Sequence, residues 1–414
     1  MSPPAAGIYL HLPFCSAVCP YCDFAVTVGG ARSRSAYLDA LLAEIALWGA
    51  AGCGPLAPAP PAGWRFDTVY LGGGTPSALA PGELAAALAA VRRELPVEPE
   101  AHLAMEANPE DASPEACAAW RRLGVATLSL GVQSFDPGAL AFLGRRHRPA
   151  EARAAVEHAR AAGFATVSLD LIFGLPGQGA AAWRRDLETA VALAPDHVSC
   201  YQLEVHAATP FGRRRARGEL TEMPEPAQAE LFALTHDLLA GAGYAAYEVS
   251  NFAAAPEHRS RHNRKYWDGS PYLGLGPSAH SFDGERRRWW NERRLGPWRR
   301  RLEQGERPVA GGETLTAGER ALEALMLGLR TADGVDLASL SRHLGVDVAA
   351  ANRARIERLA ADGLVTHDAG RLAPTRAGLA VADGLAAGFE LAEPPAYSTG
   401  TDSHEPYIGL GTTK

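Results

Sequence analysis

Between residues 8 and 203 the chain repeats one unit. A short apolar run rich in β-branched residues leads into a polar or Gly-rich turn, and an Ala/Leu/Arg stretch with helical period follows. The runs are Ile8–Leu12, Thr68–Leu71, His102–Glu106, Thr127–Gly131, Thr166–Ile172 and His197–Leu203. The helical stretches are Ser35–Trp48, Pro81–Leu95, Pro114–Leu123, Pro149–Ala162 and Ala180–Leu193, several of them opening on Pro or Ser as helix starts do. A spacing of roughly 30 residues predicts parallel βα units, hence a doubly wound sheet or a barrel. Period alone does not choose between them, but the ends of the runs do. Nearly every run closes on a polar or Gly-rich group: Cys15–Cys22, Gly72–Pro76, Glu106–Asn108, Gln133, Asp170 and Glu204. A doubly wound sheet concentrates its site at one crevice, whereas a barrel draws on many strand ends. The pattern predicts an α/β fold with a full or partial parallel (β/α) barrel.

A chain of 414 residues fits two or three domains. Residues 1–212 form the predicted barrel core, with a Pro-rich surface insertion at Gly52–Trp64. Residues 213–312 lose the βα rhythm and read as barrel completion with an extension. Residues 313–392 show helices followed by a short hairpin, Gly363–Pro374, the order of a smaller winged-helix-like C-terminal domain. Residues 393–414 are rich in Pro, Gly, Ser and Thr and read as a flexible tail.

Hydrophobic residues make up 47% and charged residues 21%, as in ordinary globular proteins. A net charge of −7 speaks against nucleic acid as the main partner. The C-terminal segment Ala317–Glu393, with eight Arg against eleven acidic residues, does not suit DNA and reads as a lid or docking domain. Gly284–Arg301 holds eight arginines among Trp289, Trp290 and Trp298; it reads first as solvated Arg faces, with single-stranded nucleic acid or porphyrin propionates as alternatives. No apolar run approaches the ~20 residues of a membrane span, and Met1–Gly7 lacks the pattern of a signal peptide. The expected compartment is the cytoplasm.

Six cysteines are present, and three of them fall within eight residues: Cys15, Cys19 and Cys22. In a large chain without an export signal such clustering reads as a metal site, not a disulfide framework. Three close thiolates suit one face of an iron–sulfur cubane and leave one iron open. The alternative is zinc, completed by His11 or a distant Cys.

This spacing, preceded by Tyr9-Leu-His11-Leu-Pro-Phe14, resembles the radical S-adenosylmethionine superfamily. Within it, the chain is similar to the branch that holds oxygen-independent coproporphyrinogen III dehydrogenase and the HemW-type haem chaperones, over roughly Gly7 to Gly388. The resemblance implies a 4Fe-4S cluster on Cys15, Cys19 and Cys22, with S-adenosylmethionine on the open iron. It implies that Gly73, Gly74 and Thr75 of Gly72-Gly-Gly-Thr-Pro76 hold the methionyl end of that cofactor. It further implies cofactor contacts from Tyr9, Glu106, Gln133, Arg145 and Asp170. Taken singly, each of these is also an ordinary strand-end polar residue.

His262-Asn-Arg-Lys-Tyr266-Trp267 matches the His-Asn-x-x-Tyr-Trp pattern of the haem chaperones. It offers an imidazole and two aromatic faces to haem; equally, Tyr266 and Trp267 could be core residues with His262 as a hydrogen-bonding strut. In the dehydrogenase a fourth cysteine stands two positions after the third and a long extension precedes the Tyr-x-His motif. Here Phe24 occupies that position and eight residues precede Tyr9. Both departures favour a haem chaperone without dehydrogenase activity over a decarboxylase; a radical C-methyltransferase of the same branch is a further alternative, and the acidic C-terminal domain weakens the reading as a cluster-sensing regulator. The implied partners are haem, a haem-acceptor protein of the respiratory kind and an electron donor for the cluster. No nucleic acid and no transmembrane segment are implied, and peripheral membrane association is compatible with the reading.

Overall fold

The computed structural model describes residues 5–50, 63–345 and 347–391. The Pro-rich insertion with Cys53, apart from its last two residues, and the 393–414 tail lie outside the described residues. The six predicted runs are strands β1 (Ala6–Leu12), β2 (Phe66–Gly73), β3 (Val97–Ala107), β4 (Val125–Gln133), β5 (Thr166–Phe173) and β6 (His197–Gln202). They lie side by side in sequence order, all parallel. A doubly wound sheet reverses its order at a switch point; this one does not, which is barrel winding. The sheet curves: Tyr70 on β2 lies within electrostatic reach of Asp170 on β5 and Tyr201 on β6.

The next six strands extend both edges. They are β7 (Ala245–Ala246), β8 (Asn251–Ala253), β9 (Tyr272–Leu275), β10 (His280–Phe282), β11 (Arg287–Asn291) and β12 (Val309–Thr314). β8 joins β6 antiparallel, with β7 beyond it, while β9 joins β1 in parallel and β10, β11 and β12 follow antiparallel. The described strands thus make one twelve-stranded sheet with a six-strand parallel centre, a partial barrel. The fading rhythm after Gly212 has a plain cause: the added strands are short and mostly antiparallel, so they need no crossover helices.

Helices Ala31–Gly49, Pro81–Glu94, Pro114–Arg122, Pro149–Ala162 and Ala180–Ala192 connect the parallel strands. Their apolar faces bury Trp48, Trp120 and Trp183 against the sheet. One buried charge ties the added strands to the barrel. Glu44, on the first helix, accepts from the Gly276 amide (2.8 Å), Asn291 Nδ2 (2.6 Å) and Trp298 Nε1 (3.1 Å).

By internal packing the chain forms two units. Among the described residues, the first runs to Ala246 and includes Ser250–Lys265 and Gly269–Thr314; the second comprises Tyr247–Val249, Tyr266–Asp268 and those from Leu315 on. The second unit has its own apolar core around Leu325, Leu337, Ile356 and Leu372. Helices Ala317–Gly328, Leu337–Leu344 and Arg353–Ala361 precede a hairpin of Val365–Asp368 and Arg371–Pro374, with Val335–Asp336 as third strand: a winged-helix arrangement. Among the described residues no helix is long and apolar enough to cross a membrane.

Burial lifts the Glu44 carboxyl to about 7, against the pull of its three donors. A raised acid pKa means that the native state favours the protonated form. Stability present below the ordinary value of 4.5 is therefore lost as pH rises through about 7, on the order of 3 kcal/mol. Chemical denaturation between pH 5 and pH 8 should show this loss in the wild type, and Glu44→Gln should lack it. Equal pH slopes in both proteins would refute the assignment.

Candidate functional site

The end of β1 runs directly into the cysteine loop. The loop is closed by Cys15 N donating to Thr27 O (3.0 Å), Thr27 N to Pro13 O (2.7 Å) and Cys22 N to Cys19 O (3.1 Å). The turn after β2 packs against it: Gly74 N donates to Leu12 O (2.9 Å) and Thr75 N to Phe14 O (2.8 Å). A Cβ at Gly74 would lie 2.6 Å from the Pro13 carbonyl carbon, and one at Gly73 (φ +105°) would lie 2.4 Å from His11 Nδ1. Gly74 is required by backbone contact, and Gly73 by its positive φ and the His11 ring. Thr75 Oγ1 then donates to Cys15 Sγ at 3.4 Å.

Arg145 enters from the other side. Its guanidinium donates to Cys19 Sγ (3.6 Å), Asn108 Oδ1 (2.6 Å) and the Gly131 carbonyl (2.9 Å). Burial alone would lower its pKa, but Tyr21, Cys19 and Glu110 around it raise it, so the cation is secure. Gln133 lies alongside: a Cβ on Gly131 would meet Gln133 Nε2 at 3.1 Å and Arg145 Nη2 at 3.5 Å. Gln133 is fully buried, holds a positive φ of 66°, and has no partner at either end of its amide among the described residues. A buried amide without partners costs free energy, so strain and orphaning together mark a group kept for a ligand. Asp186 on helix Ala180–Ala192 fixes this turn, accepting from Ser134 Oγ (2.6 Å) and Phe135 N (2.8 Å).

Further down the same face, Glu106 accepts from Tyr70 Oη (2.9 Å), and both oxygens of Asp170 accept from Ser129 Oγ (3.1 Å). His11 Nε2 faces the Ala25 carbonyl at 2.9 Å and must donate to it. Its Nδ1 therefore accepts from Tyr9 Oη at 3.2 Å. Burial lowers the His11 pKa to about 4, so the ring is neutral. That tautomer, locked by a carbonyl, leaves His11 ill-suited to complete a zinc site. Among the described residues no three His, Cys, Asp or Glu side chains converge on a single-ion site. Cys117 and Cys200 are buried, and burial pushes both thiols up, Cys117 to about 11.

The strand ends thus bring together Cys15, Cys19, Cys22, Gly73, Gly74, Thr75, Gln133 and Arg145, with Tyr9, Glu106 and Asp170 beneath them. They do not bring the haem motif there. The first part of helix Arg261–Asp268, up to Lys265, lies at the opposite, N-terminal ends of β1 and β2, where Lys265 Nζ reaches Ala5 O (2.6 Å) and Asp67 Oδ1 (2.7 Å). His262 departs from the expectation of an accessible haem donor. It is 2% exposed, bonded through Nδ1 to Thr68 Oγ1 (2.9 Å), and stacked on Tyr70. Tyr266 and Trp267 are half-buried, with Trp267 against Tyr247. Of the arginines after Gly284, Arg288, Arg299 and Arg301 pair with glutamates, and Arg293 donates to the Asp23 carbonyl (2.9 Å).

Sequence reasoning named Asn108 only within the strand-end group Glu106–Asn108, and it missed the roles of Asp186, Tyr70 and Thr68. Asn108 had a signal, two residues past Glu106 at a strand end. Asp186 had none, because it acts from a helix interior on a turn about fifty residues earlier.

The superfamily profile for radical SAM proteins matches residues 9–190, and that for the HemN C-terminal domain matches residues 315–381. The solved structure of coproporphyrinogen III oxidase (HemN) from Escherichia coli, a radical SAM enzyme, shares the fold: TM-score 0.77 at 23% identity, covering 93% of this chain and 90% of that one. The fold and these matches define a HemN-like radical SAM protein. The chain is 40% identical to the heme chaperone HemW of Mycobacterium tuberculosis over 92% of its length and 93% of the relative's. It is 36% identical to HemW of Escherichia coli, over 67% and 70%. It belongs to the HemW family.

Asp186→Ala removes two hydrogen bonds to a carboxyl group and orphans the buried Phe135 amide. The expected cost is about 2–4 kcal/mol, read as a lowered midpoint in denaturant. An unchanged midpoint would mean that the turn carrying Gln133 holds itself.

Proposed function

We propose that this protein is a haem chaperone of the radical S-adenosylmethionine type, which binds a 4Fe-4S cluster and S-adenosylmethionine and transfers haem to an acceptor protein. The observation that carries the cofactor half is the buried, partnerless Gln133 amide beside an Arg145 that already reaches a cysteine sulfur. Cys15, Cys19 and Cys22 would hold the cluster, with Thr75 and Arg145 donating to two of the sulfurs. Arg145 suits the cofactor's carboxylate, Gln133 its polar edges, and Glu106 and Asp170 its ammonium and ribose hydroxyls. Gly73 and Gly74 keep the turn close enough for Thr75 to take part, and Tyr9 supports the loop through His11. When bound, the pair would supply one-electron reduction of a sulfonium; the protein's share is position, charge and exclusion of water.

The haem half is supported by the HemW relatives and by the His-Asn-Arg-Lys-Tyr-Trp helix at the other end of the strands. Tyr266 and Trp267 offer the haem its aromatic contacts, and His262 is buried. The reading includes a respiratory acceptor, an electron donor for the cluster and a cytoplasmic location with peripheral membrane contact. It includes no dehydrogenase activity.

Purified, anaerobically reconstituted protein should bind haem and leave coproporphyrinogen III unchanged under reducing conditions. Decarboxylation would overturn the chaperone reading. Cys15→Ala, Cys19→Ala and Cys22→Ala should each lose bound iron and sulfide, whereas Cys117→Ala and Cys200→Ala should retain about four of each. Loss of the cluster in either of the last two would defeat the three-thiolate assignment.

A further inference from the structure

One side chain of the haem motif is out of place for haem and well placed for something else. His262 lies under a column of rings that rises through the barrel interior. Its ring stacks on Tyr70 (centroids 5.3 Å apart, planes at 26°) and lies 6.5 Å from Tyr9; Tyr70 and Tyr9 stack on each other at 6.2 Å. Both tyrosines end in the site above. Tyr70 Oη donates to Glu106 Oε1 (2.9 Å), and Tyr9 Oη donates to His11, whose Nε2 donates to Ala25 in the cysteine loop (2.9 Å).

Two glycines make room for the column. A Cβ on Gly7 would stand 2.9 Å from His262 Cε1; one on Gly72 would stand 2.8 Å from Tyr70 Cε1 and 3.1 Å from Tyr9 Cε2. Gly72 therefore serves the two phenol rings, while Gly73 makes room for the His11 ring and Gly74 for the backbone at Leu12 and Pro13. The base of the column is fixed on one side by Thr68 Oγ1, 2.9 Å from His262 Nδ1. Burial and the neighbouring Lys265 lower the His262 pKa to about 3, which keeps it a neutral ring suited to stacking on a phenol.

We infer that His262 is a positioning residue for the S-adenosylmethionine site, holding Tyr70 and Tyr9, and through them Glu106 and the cysteine loop, in the binding geometry. The inference rests on the proposed cofactor site. It gives the first residue of the haem motif a duty at the opposite end of the strands. Without the imidazole the phenol rings lose their floor, and the Tyr70 hydroxyl is no longer held in place against Glu106.

The test uses the full chain, reconstituted anaerobically, with S-adenosylmethionine affinity measured by calorimetry and haem binding by the Soret band. His262→Ala should keep its iron content and its Soret band but bind S-adenosylmethionine about tenfold more weakly, the scale of one lost hydrogen bond with its packing. His262→Gln, which can still bond Thr68, should recover part of that loss. Unchanged cofactor affinity in folded His262→Ala would overturn the inference, as would a Soret shift with unchanged cofactor affinity, which would make His262 a haem ligand. Should His262→Ala not fold, Thr68→Val decides: it leaves the ring in place and removes its hydrogen bond to Thr68. Weaker S-adenosylmethionine binding supports the inference, and wild-type affinity overturns it. A wild-type protein with a full cluster and no affinity for S-adenosylmethionine would overturn the site reading itself, and this inference with it.

Discussion

The polar end of the barrel depends on one close contact, the approach of the turn after β2 to the end of β1. Two amides of that turn bond the carbonyls of Leu12 and Phe14, and this is possible only because residues 73 and 74 have no side chain. The contact fixes where the cysteine loop starts and brings Thr75 to the Cys15 sulfur. It also presses Gly73 onto His11, whose other nitrogen holds Ala25 at the far end of the loop. A flexible run of three thiols becomes a loop pinned at both ends, and binding then has less chain entropy to overcome.

The second organising feature is a division between the two ends of the strands. Parallel strands place every βα turn at the C-terminal end, where the thiols, Gln133 and Arg145 collect. The N-terminal ends are free for another use, and the haem-motif helix occupies them through Lys265, Asp67 and His262. Between the ends the barrel interior is polar and aromatic where most barrels are aliphatic. Its histidines are kept neutral by burial, His11 at about 4 and His262 at about 3.

Much of this was legible in the sequence. The six strands and their helices follow from hydrophobic period, because most strand positions are buried and each helix buries one face. Strand-end residues were legible as a site because parallel topology forces them to one side. What stayed hidden were the roles that depend on distant pairing. The pattern His-Asn-x-x-Tyr-Trp reads as one patch, yet the helix turns His262 inward while leaving Tyr266 and Trp267 half-buried. Gly73 and Gly74 read as a ligand cradle, yet Gly73 makes room for the His11 ring and Gly74 for the backbone at Leu12 and Pro13, and their neighbour Gly72 makes room for Tyr70 and Tyr9. Glu44 reads as a polar position on a helix, and only the folded sheet shows it gripping β9, β11 and Trp298.

As proposed, haem binds independently of the cluster. The most direct measurement is a haem titration of the Cys15→Ala/Cys19→Ala/Cys22→Ala triple variant, followed at the Soret band after its fold has been confirmed by circular dichroism. The account predicts a Soret maximum and a haem affinity indistinguishable from those of the cluster-loaded protein. Loss of haem binding in the folded, cluster-free variant would contradict it.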